Sequence, residues 1–311
     1  MKKKIVLIEG IPGSGKSTCA RFLANQFERN GYKCSLFLET TYEHPIIQME
    51  SINDNNAFID SYLNKWFNFI AKSNDNIIVM ESAFFQNPIV HLLHKDADRE
   101  VIKSLIIKAS EILCNEDCSL VYFYQTDPKK AIQTMIDIRG REEFLVRKHN
   151  EYKHENYFVN RKEQGVDSHI TFFLDYAALA NEIVNKVKIN TLIIENSNKE
   201  YDLYEQQLLN SFKLSYIPDP TVDQDILDSY TGTYHNEDMN FSVTIEFIDG
   251  CLTIFGSKRL KPKSESEFYL NDMSVVTRFV KEDGRVIRLY ILEKDVYANK
   301  SDDGTAFERI S

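Results

Sequence analysis

Long apolar runs are missing from this chain. The longest, such as residues 77–80, are far too short to cross a bilayer, which takes about 20 apolar residues, so no membrane partner is expected. Glycine and proline are also sparse, at 11 and 7 of 311 residues, which excludes collagen-like and low-complexity material. Positive charge is in deficit: 37 basic against 47 acidic residues leave a formal net charge of -10. That balance argues against broad nucleic-acid binding, because phosphate contacts need a concentrated basic surface, although a local basic pocket stays open. Cysteines number five, and Cys114 and Cys118 make a single C-x-x-x-C pair with no second pair to complete a zinc set. Reduced thiols are the plain reading. The basic start is followed by Ile5-Val6-Leu7-Ile8, but Glu9 ends the apolar run too early for an export signal, so a cytoplasmic protein is expected.

What the chain does have is 43% hydrophobic and 27% charged residues over a length that suits two domains. Up to about residue 215, short apolar runs alternate with segments of helical period, the pattern of an α/β fold with a parallel sheet. Strands are expected at 5–9, 34–39, 77–81, 120–124 and 191–195. Helices are expected at 16–30, 57–72, 99–114, 128–138, one long stretch at 144–161, 170–188 and 200–212. Polar clusters at 53–56, 73–76 and 196–199 read as loops.

Pro218 and Pro220 stand two apart and oppose helix, so 216–225 reads as an extended linker. Beyond it, Phe241, Val243, Ile245 and Phe247 alternate with polar residues, and Asp249-Gly250 supplies a tight turn, a hairpin signal that Asp283-Gly284 repeats. Residues 226–311 are therefore expected to form an antiparallel, all-β domain.

One motif carries chemistry. Gly10-Ile11-Pro12-Gly13-Ser14-Gly15-Lys16-Ser17 is G-x-x-x-x-G-K-S between an apolar strand and a helix, which is a P-loop. Its glycines let successive backbone N–H groups converge on phosphates while the following helix offers its positive N-terminal end. Lys16 adds a charge for the β and γ phosphates, the Ser17 hydroxyl reaches Mg2+, and Thr18 continues the binding segment. An incidental Gly-rich turn would not account for the strand-loop-helix setting.

The loop from Gly10 to Thr18 and the five-strand pattern resemble the nucleoside and nucleotide kinases of the P-loop superfamily, such as thymidylate kinase and the deoxynucleoside kinases, over roughly residues 1–212. The resemblance implies a five-stranded parallel sheet in the order 2-3-1-4-5, helices on both faces, and ATP and Mg2+ as cofactors. The acceptor it implies is a small molecule, nucleoside-like or otherwise hydroxyl-bearing. In deoxynucleoside kinases a Glu after the second strand is the base on the substrate hydroxyl and a Glu-Arg-Ser follows the third. Phe37-Leu38-Glu39-Thr40 is similar to the first and Met80-Glu81-Ser82 to the second, without the arginine. Glu39 reads either as that base or as a solvated strand end, and Glu81 either as the base or as a Walker B acid holding Mg2+.

Family members carry an arginine-rich lid where Arg139 and Arg141 stand, and residues 139–163 hold seven Lys or Arg against five Asp or Glu. Arg139 and Arg141 are therefore candidates to neutralise the transferred group, with an ordinary solvated helix start as the alternative. Arg147, Lys148, Arg161 and Lys162 read as surface charges. His91 and His94 share a helix face without a third metal ligand, and His44 and Tyr42 read as loop residues near a substrate. Trp66, Phe67 and Phe69 suit either base stacking or core packing. The sequence Tyr230-Thr231-Gly232-Thr233-Tyr234 resembles the opening of the small β domain appended to some serine-β-lactamase-like proteins. Dimerisation, partner binding or covering of the kinase cleft are the roles open to it. An ATP-operated switch module and an antibiotic-modifying kinase remain as alternatives to the nucleoside kinase.

Overall fold

The protein is described by a computed structural model. It describes residues 3–39, 41, 44–47, 52–73, 77–161, 165, 167–270, 276–292 and 304–311. Thr40, Tyr42 and Lys162, with part of the expected loop at 73–76 and part of the expected β domain at 226–311, lie outside them. The chain divides into two compact units, residues 1–39 with 45–215, and residues 216–311 with 40–44.

The first unit runs β1 (Lys4–Gly10), α1 (Lys16–Arg29), β2 (Cys34–Phe37), α2 (Asn55–Lys72), β3 (Ile77–Glu81), α3 (Gln86–His94), α4 (Arg99–Leu113) and β4 (Asp117–Tyr124). It continues through α5 (Pro128–Ile138), α6 (Arg141–Tyr152), α7 (Asn156–Asn160), α8 (Ser168–Ile183), β5 (Asn190–Glu195) and α9 (Tyr201–Phe212). The sheet has the expected order β2-β3-β1-β4-β5, and its neighbours are all parallel. Side chains alternate across it. Ile5, Leu7, Ile78, Met80, Leu120 and Tyr122 face the core under α2 to α8, while Val6, Ile8, Val79, Val121 and Phe123 face α1 and α9. Strands covered on both sides read as continuous apolar runs for this reason. Because the strands are parallel, their carboxyl ends gather at one edge, where Gly10 and Glu81 stand.

Local chemistry sets several boundaries. Asp54, Asp98 and Asp127 cap α2, α4 and α5 by accepting the N–H groups of Asn56, Glu100 and Lys130. Pro128 opens α5, where its missing N–H costs nothing. The long helix expected at 144–161 is instead α6 and α7, broken where Glu155 turns extended. Tertiary contacts outweigh helical propensity there: Lys95 Nζ pairs with Glu155 at 2.9 Å, and the break turns Tyr157 and Phe158 into the core.

The second unit runs α10 (Gln224–Tyr230), β6 (Gly232–Asn236), β7 (Phe241–Ile248), β8 (Cys251–Ile254), β9 (Lys258–Arg259), β10 (Lys261–Pro262), β11 (Glu267–Tyr269), β12 (Val276–Glu282), β13 (Arg285–Ile291) and β14 (Thr305–Arg309). It is not purely β, since α10 precedes the first strand and takes up the end of the expected linker. The antiparallel sheet has the order β10-β11-β12-β13-β14-β6-β7-β8-β9. Leu260 alone separates β9 from β10, so the two ends of the sheet are one piece of chain and the sheet curls towards a barrel. Asp249-Gly250 and Asp283-Gly284 each have positive φ at both residues, the form that two-residue hairpins require. Tyr230, stacked on Phe279 at 4.2 Å, and the buried Tyr234, Phe268, Leu289 and Phe307 fill the interior.

Candidate functional site

The P-loop follows β1 without a break, and the scaffold holds its carbonyl groups. Tyr176 Oη donates to the Gly10 carbonyl at 3.2 Å, Ser14 N–H and Lys16 Nζ donate to the Ile11 carbonyl at 3.2 and 3.1 Å, and the Asn196 amide donates to the Ser14 carbonyl. Gln125 in turn donates to the Asn196 side-chain oxygen. These bonds occupy carbonyl oxygens of the loop, which would otherwise face and repel an anion cradled by backbone N–H groups.

Glycine is needed for two reasons at this loop. Gly13 (φ +81°) lies so close to α5 that a Cβ would fall 2.4 Å from Met135 Cγ. Gly15 (φ +84°) caps α1, and a Cβ there would sit 2.7 Å from Tyr201 Oη. Pro12 is half-buried, Ser14 is buried, and its hydroxyl has no hydrogen-bond partner among the described residues. Ser17 and Thr18 stand half-buried on the first turn of α1. A cavity beside the loop is lined by Pro12, Gly13, Gln125, Lys130, Thr134 and Asn196.

Lys16 is buried, at 5% exposed. Its Nζ lies 3.9 Å from Glu81 Oε1. Glu81 ends β3 and is itself buried; it accepts the Glu39 backbone N–H at 2.9 Å and the Ser82 hydroxyl at 2.9 Å. Ser82, the next residue, has φ +63° without being glycine, a strained conformation of the kind that collects at functional sites. Glu39 lies two residues beyond the end of β2, which is shorter than expected. Its surface is open although protein surrounds it on most sides. The lost solvation, and after it the nearby Glu81 carboxylate, raise the Glu39 pKa above the ordinary value; Lys16 and a hydrogen bond from the Gln86 side chain pull it back. The structure therefore brings Lys16, Glu39 and Glu81 together beside the phosphate loop.

Sequence reasoning passed over Glu9. Its carboxylate has no exposed surface, accepts Phe84 N–H at 2.6 Å and Gln86 N–H at 3.1 Å, and is pushed up by burial to about 7, against the pull of those N–H groups and Lys16. An acidic residue inside a run that packs on both faces was the available signal. Tyr176, Gln125 and Asn196 gave none, since their roles depend on distant backbone carbonyls.

The lid residues are engaged elsewhere. Arg139 ends α5 with its guanidinium 5.4 Å from the Phe144 ring, and Arg141 pairs with Asp137 at 3.8 Å and Asp167 at 3.4 Å; both are exposed. Met135, which packs on Gly13, is one helical turn from Arg139. Arg147 stands over Phe144 at 5.7 Å, Lys148 pairs with Glu151 at 3.0 Å, and Arg161 binds Asp96 at 2.6 Å. His91 stacks on Phe58 at 3.7 Å, and His94 lies between Tyr152 and Phe172, where burial lowers its pKa to about 3. Both are packing residues in this arrangement, as is Trp66, which is fully buried, whereas Phe67 is exposed. Among the described residues no group of three or more His, Cys, Asp or Glu side chains gathers to hold a metal, and no disulfide forms. No described helix is long and apolar enough to cross a membrane.

A Gly-rich loop between β1 and α1, a lysine at its end and a sheet of order 2-3-1-4-5 define a P-loop nucleotide-binding domain. A family model described as Novel STAND NTPase 3 matches residues 1–116, covering β1, the P-loop and β3, and agrees with a nucleotide-binding NTPase. Among solved structures, the chain is similar to the YorR protein of Bacillus subtilis, determined in complex with phosphorylated GDP. That similarity has 14% identity and a TM-score of 0.39, over 68% of this chain and 96% of that one. No curated protein matches the chain.

Proposed function

We propose that the protein is a Mg-ATP-dependent kinase that transfers the γ-phosphoryl group to a small, hydroxyl-bearing acceptor of nucleoside or nucleotide type. The observation that supports this reading best is the gathering of two acids around Lys16 at the P-loop: the Glu81 carboxylate lies 3.9 Å from Lys16 Nζ and accepts the Glu39 backbone N–H, and the Glu39 carboxylate is close enough to feel the charges of both. A hydrolase needs only to orient water, whereas a raised-pKa carboxylate beside a metal-type acid is the equipment for removing a proton from an acceptor hydroxyl.

Phosphoryl transfer asks the protein mainly for positioning and charge neutralisation. In this scheme the loop amides and Lys16 hold the donor, and Glu39 accepts the acceptor's proton. The Ser17 hydroxyl and the Glu81 carboxylate would hold Mg2+, being hard oxygen ligands of the kind the ion takes. The charge neutralisation supplied there would add to that of Lys16 on the transferred phosphoryl group. Arg139 and Arg141 would turn from their present partners to close over the phosphates. The second unit serves as an interaction or dimerisation module, and the protein works in the cytoplasm without nucleic acid or membrane.

A second reading is a nucleotide-operated binding module, favoured by the family match over residues 1–116 and by the separate compact unit at 216–311. Incubation with Mg-ATP and a panel of nucleosides, nucleoside monophosphates and aminoglycoside or amphenicol drugs, with products weighed by mass spectrometry, separates the two. A phosphorylated acceptor supports the kinase. Turnover that ignores every acceptor supports the module.

A further inference from the structure

Glu9 belongs to the P-loop strand, yet its bonds run to the turn that follows β3. The carboxylate takes the N–H groups of Phe84 and Gln86 at 2.6 and 3.1 Å. Tyr62 Oη of α2 also holds this turn, donating to the carbonyls of Ala83 and Phe84 at 3.1 and 3.2 Å. The same turn contains Ser82 at φ +63°, whose hydroxyl bonds Glu81, and Gln86, whose side chain bonds Glu39. A strained turn persists only where its surroundings over-determine it, and Glu9 supplies two of the bonds that do so.

Resting on the kinase reading, we infer that Glu9 is a positioning residue: by clamping the 82–86 turn to the P-loop strand, it sets where Glu39 and Glu81 stand relative to Lys16. Both acids are reached from Glu9 through one short segment, Glu81 through its neighbour Ser82 and Glu39 through Gln86. The nucleotide loop begins at the very next residue, Gly10, so donor and acceptor sides share one anchor. The groups surrounding the carboxylate are Lys16 from α1, Tyr62 from α2, Tyr122 from β4 and Tyr176 from α8. Lys16 is the one cation among them, and a buried carboxylate is tolerated here because backbone donors satisfy it.

Two variants and two measurements test this. Glu9→Gln keeps the shape but sets an amide N–H2 against one of the two backbone N–H groups. Gln86→Leu leaves Glu9 and its bonds alone and cuts the link to Glu39. In hydrogen exchange, Glu9→Gln should speed exchange at residues 82–87 and at Glu39 by about tenfold or more, while β4 and β5 keep their protection. In turnover, read as phosphate release from Mg-ATP with water or an identified acceptor, both variants should lose at least about tenfold, whereas binding of a non-hydrolysable ATP analogue should stay within about twofold. Because Glu9 acts in part through Glu39, adding Glu9→Gln to Glu39→Gln should cost less than the product of the two single losses. Unchanged exchange at 82–87, losses that multiply in the double variant, or nucleotide affinity falling in step with rate would each overturn the assignment. If the wild-type protein turns over no ATP with water or any acceptor, the kinase reading fails, and the exchange measurement alone decides whether Glu9 holds the turn.

Discussion

The Glu81 carboxylate accepts the backbone N–H of Glu39 at 2.9 Å, so the acid that ends β3 fixes the chain that carries the acid beyond β2. The two are 42 residues apart in sequence and meet because β2 and β3 are parallel neighbours whose carboxyl ends coincide. The relationship makes them unequal: Glu81 is buried against Lys16, and Glu39 keeps an open surface.

That inequality predicts different responses to metal. Glu39→Gln should lower the maximal rate with little change in the Mg2+ requirement, because a general base acts on the acceptor proton alone. Glu81→Gln should raise the Mg2+ concentration needed for half-maximal turnover. Mg2+ titration of both variants checks this, and superimposable metal curves would refute the division of labour. The raised Glu39 pKa also fixes a sign: a base must be ionised, so activity should fall with pH at values above the ordinary Glu range, and Glu39→Gln should lose that limb.

Lys16→Ala should reduce turnover by at least about 100-fold, in line with the loss of one preorganised charge. Its Nζ bonds the Ile11 carbonyl and faces Glu81, so the melting temperature should move by only a few degrees. A folded Lys16→Ala protein with wild-type turnover would end the assignment of the loop.

Gly13→Ala should abolish nucleotide binding and destabilise the fold by about 1–3 kcal/mol, since an L residue at φ +81° is strained and its Cβ has no room beside Met135. Calorimetry with ATP and thermal melting read both effects.

Burial of Glu9 predicts a pH dependence of stability. Its pKa is raised from 4.5 to about 7, so the folded state holds a proton that the unfolded state has released between those values. Stability from this group is complete below pH 4.5 and is lost as pH rises through 7. Relative to the wild type, Glu9→Gln should therefore gain in melting temperature as pH rises from 4.5 to 7. An unvarying difference across that range would show that Glu9 does not titrate there.

A fragment of residues 1–218 should be soluble and bind ATP, because each unit has its own core and Asn30 bonds the Ser215 backbone in both directions, closing the first unit on itself. Light scattering and ATP titration of the fragment test it, and aggregation would mean that the unit at 216–311 is required for folding.

Local chemistry made much of this protein legible from its residues. The spacing of Gly10, Gly15 and Lys16 admits one loop, the apolar runs at 5–8 and 77–80 admit strands buried on both faces, and Asp249-Gly250 and Asp283-Gly284 admit hairpins, because each depends on neighbours within a few residues. Tertiary structure decided whatever depends on distant partners. Glu9 finds its donors 75 and 77 residues away, Tyr176 reaches Gly10 across 166, and Glu155 breaks a helix because Lys95 stands opposite it. The curl of the second sheet likewise rests on β14 pairing with β6 across the length of the unit. Periodicity reports which side of a strand or helix is apolar, but a hydrogen bond between residues far apart in the chain exists only once the sheet has set their separation. For that reason the phosphate loop could be read from the sequence, and the clamp behind it could not.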